Sequence, residues 1–336
     1  MNYKRWIKIS LSTILIVLSA NALFLYYTDI YGVAHPERKT YPTAFHQRFL
    51  VIEYLKKHMH DYDTLIFGSS RVQFINPQHI PNAKAYNLTI AEGIPHEFLL
   101  MLRYLLKEGM KPKTVLIGLD NFSFNISFRA HQAALETKSH YLITGESQAK
   151  FYSNFYFRKP TKRDFQDLKN RSKGLNLYKL HSDIIFHQKE AFKHQSYSQP
   201  KPDAPIYNDP TTWHGNELKN TLQDIAAIKK LCDENHIKAV FFINPIQHTS
   251  YDAMMKDKTN KRLFFKFKQE LAYITDYYDF SKPNVISKDN RNWLETSHFI
   301  PKIGDLMIKT MFENKLFVKD FGVHIQKKQK RDTDAI

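Results

Sequence analysis

The chain has 336 residues and a formal charge of +16, from 49 Lys and Arg against 33 Asp and Glu, with a single cysteine, Cys232. That length and an apolar content of 43% exclude a peptide scaffold and a disordered chain, and allow one large domain or two small ones. A lone cysteine excludes an intramolecular disulfide and a cysteine-based zinc site, while the cationic excess points to an anionic partner without choosing among nucleic acid, lipid and glycan.

Residues 1–8 carry Lys4, Arg5 and Lys8, and the 19 residues Ile9–Tyr27 that follow carry no charge. As a helix this run is ~28 Å long, close to the hydrocarbon thickness of a bilayer. The pattern predicts a cytoplasmic tail at 1–8 and a single transmembrane anchor at 9–27, with the bulk of the chain extracytoplasmic; Arg38 and Lys39 on the far side make the charge asymmetry modest. A rival reading is a cleaved signal peptide ending at Ala20-Asn21-Ala22. Both readings export the rest. Residues 28–60, broken by Pro36 and Pro42, read as a linker and a surface helix over 44–58.

Apolar runs then alternate with helical patterns. Strands are predicted at 63–67, 84–90, 113–120 and 239–244, with a weaker one at 277–280. Helices are predicted at 96–107, 216–234, 259–274 and 303–312. Strands apolar on both faces and separated by helices predict an α/β domain over 61–320 with a doubly wound parallel sheet of five strands. Residues 121–215 follow no such rhythm and read as a large insertion packing over the strand ends. It holds Tyr152, Phe155, Tyr156 and Phe157, which either pack a core or stack on sugar rings. Residues 321–336, with Lys327, Lys328, Lys330 and Arg331, read as a basic disordered tail that is solvated or touches anionic headgroups.

In a parallel sheet, chemistry sits beyond the carboxyl ends of the strands. Those ends read Gly68-Ser69-Ser70-Arg71, Ala91-Glu92-Gly93, Asp120-Asn121 and Asn244-Pro245. Downstream, Glu295 stands three residues before His298. A carboxylate at that spacing can hold one imidazole nitrogen and leave the other to take a serine proton, with Ser70 as nucleophile and Ser69 as the alternative. The same serine could instead be a turn or cap residue and the histidine a solvated one. His181 and His187 have no companion ligands, and Gly68 and Gly93 stand alone, so neither a metal nor a nucleotide cofactor is expected.

The order of serine after the first strand and acid-x-x-histidine before the last helix resembles the SGNH/GDSL hydrolase superfamily, over about residues 60–315 outside the insertion. The resemblance implies a flavodoxin-like fold with Ser70 as nucleophile, His298 as base and Glu295 in place of the usual aspartate, one methylene longer. It implies Gly93 of Tyr86-Asn87-Leu88-Thr89-Ile90-Ala91-Glu92-Gly93 as one oxyanion donor. Asn121 is implied as the second, with Asn125 as an alternative, because Gly118-Leu119-Asp120-Asn121 inverts the family's final Asn-Asp pair. With the anchor and the stretch Ser297–Asp305, the chain looks most like envelope-glycan modification proteins of teichoic-acid D-alanylation and alginate O-acetylation. The partners implied are a multi-spanning membrane O-acyltransferase and an envelope glycan or acylated lipid-linked substrate. Nucleic acid is not expected. The activity implied is O-acyl transfer or acyl-ester hydrolysis; the alternative is a catalytically silent glycan-binding or scaffold module.

Overall fold

The computed structural model describes residues 3–36, 46–172 and 217–329. In chain order the elements are α1 (Tyr3–Thr28), α2 (Gln47–His58), β1 (Thr64–Gly68), β2 (Ala85–Thr89), α3 (Pro95–Lys107), β3 (Thr114–Leu119), α4 (Phe128–Ala133), α5 (Tyr141–Thr144), α6 (Gln148–Tyr156) and α7 (Lys162–Ser172). Then follow α8 (Leu218–Glu234), β4 (Lys238–Ile243), α9 (His248–Lys256), α10 (Lys258–Ile274), β5 (Tyr277–Asp279), α11 (Val285–Lys288), α12 (Pro301–Glu313) and β6 (Val323–Ile325). They form two compact units, the described residues of Met1–Lys56 with Gln132–Phe186, and those of Lys57–His131 with His187–Ile336.

The second unit is α/β, built on a mixed sheet of six strands in the order β2-β1-β3-β4-β5-β6. β1 to β5 pair in parallel, and β6 runs antiparallel to β5. β1 and β3 are the most deeply buried, because their runs Thr64–Gly68 and Val115–Leu119 are apolar without alternation. On one side, Ile66, Leu116 and Phe242 of the sheet share a core cluster with Ile303, Met307 and Met311 of α12. α3 and α8 pack against each other. The chain leaves β1 for β2 and then returns across it to β3, so the direction of winding reverses between β1 and β3.

The sixth strand was not expected, since residues 321–336 read as a disordered tail. Here tertiary contacts override composition. Phe321 is buried, Gly322 turns the chain at φ +81°, and the His324 ring stacks on Tyr278 with centroids 4.5 Å apart. The Lys328 amide donates to the Ala272 carbonyl at 2.7 Å, whereas Lys330 and Arg331 lie outside the described residues.

In the first unit, α1 is long and apolar enough to cross a membrane. Its final turns pack on α6 and α7, burying Leu25 and Thr28. Asp29 then accepts the amides of Ala34 and His35 at 3.1 and 3.0 Å, closing a tight loop. α2 is not the expected surface helix: Phe49, Leu50, Val51 and Ile52 are apolar all round, so the helix is buried. Phe49 stacks on His140 at 4.7 Å and on Phe151 at 5.6 Å. The expected insertion is divided. Phe124 stays in the core of the sheet unit, while residues 132–172 fold with α1 and α2. Of its aromatic run, Phe151 and Phe155 form core and Phe157 is exposed. His181, Arg38, Lys39 and Pro42 lie outside the described residues, as does His187.

Candidate active site

The loop after β1 turns at once. Gly68 ends the strand, the Val72 amide donates to the Ser69 carbonyl at 2.9 Å, and a short 3-10 turn follows over Val72–Phe74. Ser69 is buried and its hydroxyl accepts the Arg71 amide at 3.3 Å, so it belongs to the turn rather than to a reacting surface. Ser70 is only half-buried, and its Oγ lies 2.8 Å from His298 Nε2.

The histidine is carried by a closed loop between α11 and α12. Trp293 and Phe299 form an antiparallel bridge, and the Leu294 amide donates to the His298 carbonyl at 2.8 Å. Inside that loop the Glu295 carboxylate folds back, one oxygen accepting the Ser297 amide at 2.9 Å and the other meeting His298 Nδ1. An ionised carboxylate only accepts, so Nδ1 carries the proton and Nε2 presents its lone pair to the serine hydroxyl. Burial raises the Glu295 pKa, but the bonds from His298 and from the Ser297 and His298 amides outweigh it and hold the carboxyl below its usual value. The extra methylene of glutamate therefore does not prevent an acid–imidazole–serine relay. The edge of Phe74 packs against the imidazole, with ring centroids 5.6 Å apart.

The two expected oxyanion donors have different surroundings. The Gly93 amide donates to the Ile90 carbonyl at 3.1 Å, closing a turn, which leaves it unsuited to the implied role. Glu92, inside that turn, takes φ +52°, a left-handed conformation costly for a non-glycine residue. Among the described residues the amides of Ser70 and Glu92 have no hydrogen-bond acceptor. Asn121 accepts from Arg71 at 3.0 Å, and its Nδ2 faces only the Met254 sulfur at 3.6 Å, a weak acceptor that a stronger one can replace. Asn125 Nδ2 donates one hydrogen bond, to Asn260 Oδ1 at 3.3 Å.

Arg71 is the residue of the candidate site to which the sequence assigned no role. Its side chain is buried, and one terminal nitrogen donates to Asp120 Oδ1 at 2.8 Å as well as to Asn121. Its Nε donates to the Ser297 carbonyl at 3.1 Å, and the guanidinium sits 4.9 Å from the Phe122 ring centroid. Asn244, at the end of β4, donates to the same Asp120 oxygen at 3.0 Å. One side chain thus ties the loop of the imidazole to the carboxyl end of β3, where the winding reverses. The available signal was an arginine next to the candidate serine and an aspartate closing the adjacent strand.

Among the described residues no three His, Cys, Asp or Glu side chains group to hold a metal ion. No protein-family model matches the chain, and no curated protein sequence matches it.

Proposed function

We propose that the chain is a membrane-anchored, extracytoplasmic O-acyltransferase or acylesterase of the SGNH type, acting on a cell-envelope glycan through an ester on Ser70. The observation that carries this reading is the relay from Ser70 Oγ through His298 to Glu295. The parallel part of the sheet, in the order β2-β1-β3-β4-β5, supports the finer reading of a doubly wound, flavodoxin-like domain with its site at the switch point. In the first half-reaction His298 Nε2 takes the Ser70 proton as Oγ bonds to the acyl carbonyl carbon. The bond from that carbon to the leaving group breaks, and His298 returns the proton to the leaving atom. In the second, an acceptor hydroxyl or water gives its proton to His298, attacks the ester and frees Ser70, which recovers its proton. A sugar hydroxyl gives transfer; water gives hydrolysis. The amides of Ser70 and Glu92 and the Asn121 carboxamide supply donors for the oxyanion. The acyl donor is a lipid-linked substrate or a multi-spanning membrane O-acyltransferase working beside the anchor.

One observation favours a second reading, a silent glycan-binding or scaffold module: the Gly93 amide is spent on its own turn. Intact-mass analysis of the full-length protein in detergent after fluorophosphonate treatment separates the two. The enzyme reading expects a single adduct that is absent in Ser70→Ala and forms on the order of 10³-fold more slowly in His298→Ala and Glu295→Gln. Folded wild type that takes no adduct would sink it.

A further inference from the structure

Helix α7 has its polarity reversed for a surface that faces water. Asp164 and Asp167 are buried, while Phe165 and Leu168 are exposed at 57% and 36%. Outside α1, seven large apolar side chains are exposed among the described residues, and four of them are Leu142, Phe157, Phe165 and Leu168 of the first unit. Between Phe157 and Asn170 the only acids are the two buried aspartates, so the exposed charge there is cationic, from Lys159, Lys162, Arg163 and Lys169. Arg163 pairs with Glu136 at 3.2 Å.

This face is held firmly. Arg158 binds both oxygens of Asp164, and the Thr161 amide and hydroxyl each donate to Asp164 at 2.7 Å, which locks the corner between α6 and α7. The same corner is fastened to α1, because Asn21 Nδ2 donates to the Arg158 carbonyl at 3.1 Å and the Phe24 and Phe165 rings lie 5.1 Å apart. Phe24 stands four residues before the end of α1, or ~6 Å along its axis, so Phe165 sits where a span of this length leaves the hydrocarbon. Tyr26, half-exposed on α1, packs against Tyr156. Aromatic rings with a cationic rim at that depth are the pattern of a membrane–water boundary.

We propose that α7, together with Phe157, is an interfacial element lying on the bilayer that α1 enters. Phe157, Phe165 and Leu168 sit at the boundary of acyl chains and headgroups, and Lys159 and Lys162 meet anionic headgroups. The proposal rests on reading α1 as a retained membrane span. It makes the first unit a rigid footing on the lipid surface, where a bare helix would be only a tether.

The test uses the full-length protein in nanodiscs of phosphatidylcholine and phosphatidylglycerol, spin-labelled at Leu15→Cys, Phe165→Cys, Gln166→Cys, Leu168→Cys or Lys230→Cys. Cys232 does not compete, because burial pushes its thiol up to about 12. The measurement is the ratio of nitroxide accessibility to oxygen over accessibility to a neutral nickel chelate. Leu15, Phe165 and Leu168 are expected to show a ratio at least about fivefold above Lys230. Gln166, whose variant keeps both apolar side chains in place, is expected between them, which guards against a misfolded Phe165→Cys. Aqueous values at 165 and 168 with a bilayer value at 15 would overturn the interfacial helix alone, and an aqueous value at 15 would overturn the span and the proposal together. Labels at 165 and 168 shielded from both reagents would mean that protein, not lipid, covers the face, and would overturn the proposal too.

Discussion

Arg71 governs how the site holds its shape. It pairs with a buried aspartate on one side and anchors the carbonyl of Ser297, the residue before His298, on the other. Arg71→Met strands the Asp120 charge in the interior and is expected to cost about 3–5 kcal/mol, read from the urea midpoint. Arg71→Lys keeps the charge but has no planar fork to span both partners. It is expected to retain most of the stability while slowing serine labelling about tenfold, through loss of alignment; equal slowing of unfolding-corrected rates in both variants would count against a positioning role. Glu295 keeps its charge well into acid. Burial raises its pKa, but the His298 and amide bonds lower it further, so its contribution is complete above the unfolded carboxyl value and fades only as pH falls through the depressed folded one. The relay therefore keeps its orienting charge through the neutral range.

At the scale of elements, the site depends on how closely α12 crosses the turn after Ser70. A Cβ at Gly304 would stand 2.3 Å from the Phe74 carbonyl oxygen, and backbone cannot yield as a side-chain tip can. Gly304→Ala is expected to lose about 1–3 kcal/mol and, by moving Phe74 off the imidazole, to slow serine labelling beyond what the unfolded fraction explains. Chemical denaturation and labelling rate on the same sample check both. This contact explains why the stretch Ser297–Asp305 carries a glycine where a helix would favour alanine. β1, β3 and β4 were legible because each is a short apolar run closed by Gly68, Asp120-Asn121 or Asn244-Pro245, and the Glu295–His298 spacing was legible because it is local. β6 was not legible: Val323, His324 and Ile325 are only half-buried and owe their pairing to Tyr278 and Gly322. Arg71 showed only as an arginine next to the candidate serine, since its partners stand 49, 50 and 226 positions away. The bond from the Gly93 amide to the Ile90 carbonyl was not legible, because spacing does not say whether a turn amide is already engaged.

Both units of the whole molecule carry groups that acid acts on. In the first, His46 is fully buried, its Nδ1 accepts the Phe49 amide at 3.1 Å, and desolvation with the nearby Arg48 charge pushes its pKa down to about 3. Burial raises Glu53, but its bonds to His140 and Lys56 prevail and pull it down to about 2. Both groups bind protons more readily when unfolded. The stability they supply is complete above the unfolded histidine value and drains away as pH falls below it, by up to about 1.4 kcal/mol per pH unit for the histidine alone. Protection factors for amide exchange in residues 46–56 and 148–156, taken relative to the unfolded rate at each pH, are expected to fall between pH 7 and pH 4.5, and His46→Gln to blunt the change; protection factors independent of pH in the wild type would contradict this. The distance along the chain between Ser70 and His298, 228 positions, has a further consequence for synthesis. A ribosome delivers the serine well before its base, with the four strands β2 to β5 in between. Until that segment arrives Ser70 has no imidazole beside it, so on the proposed reading the nascent chain holds no activated serine.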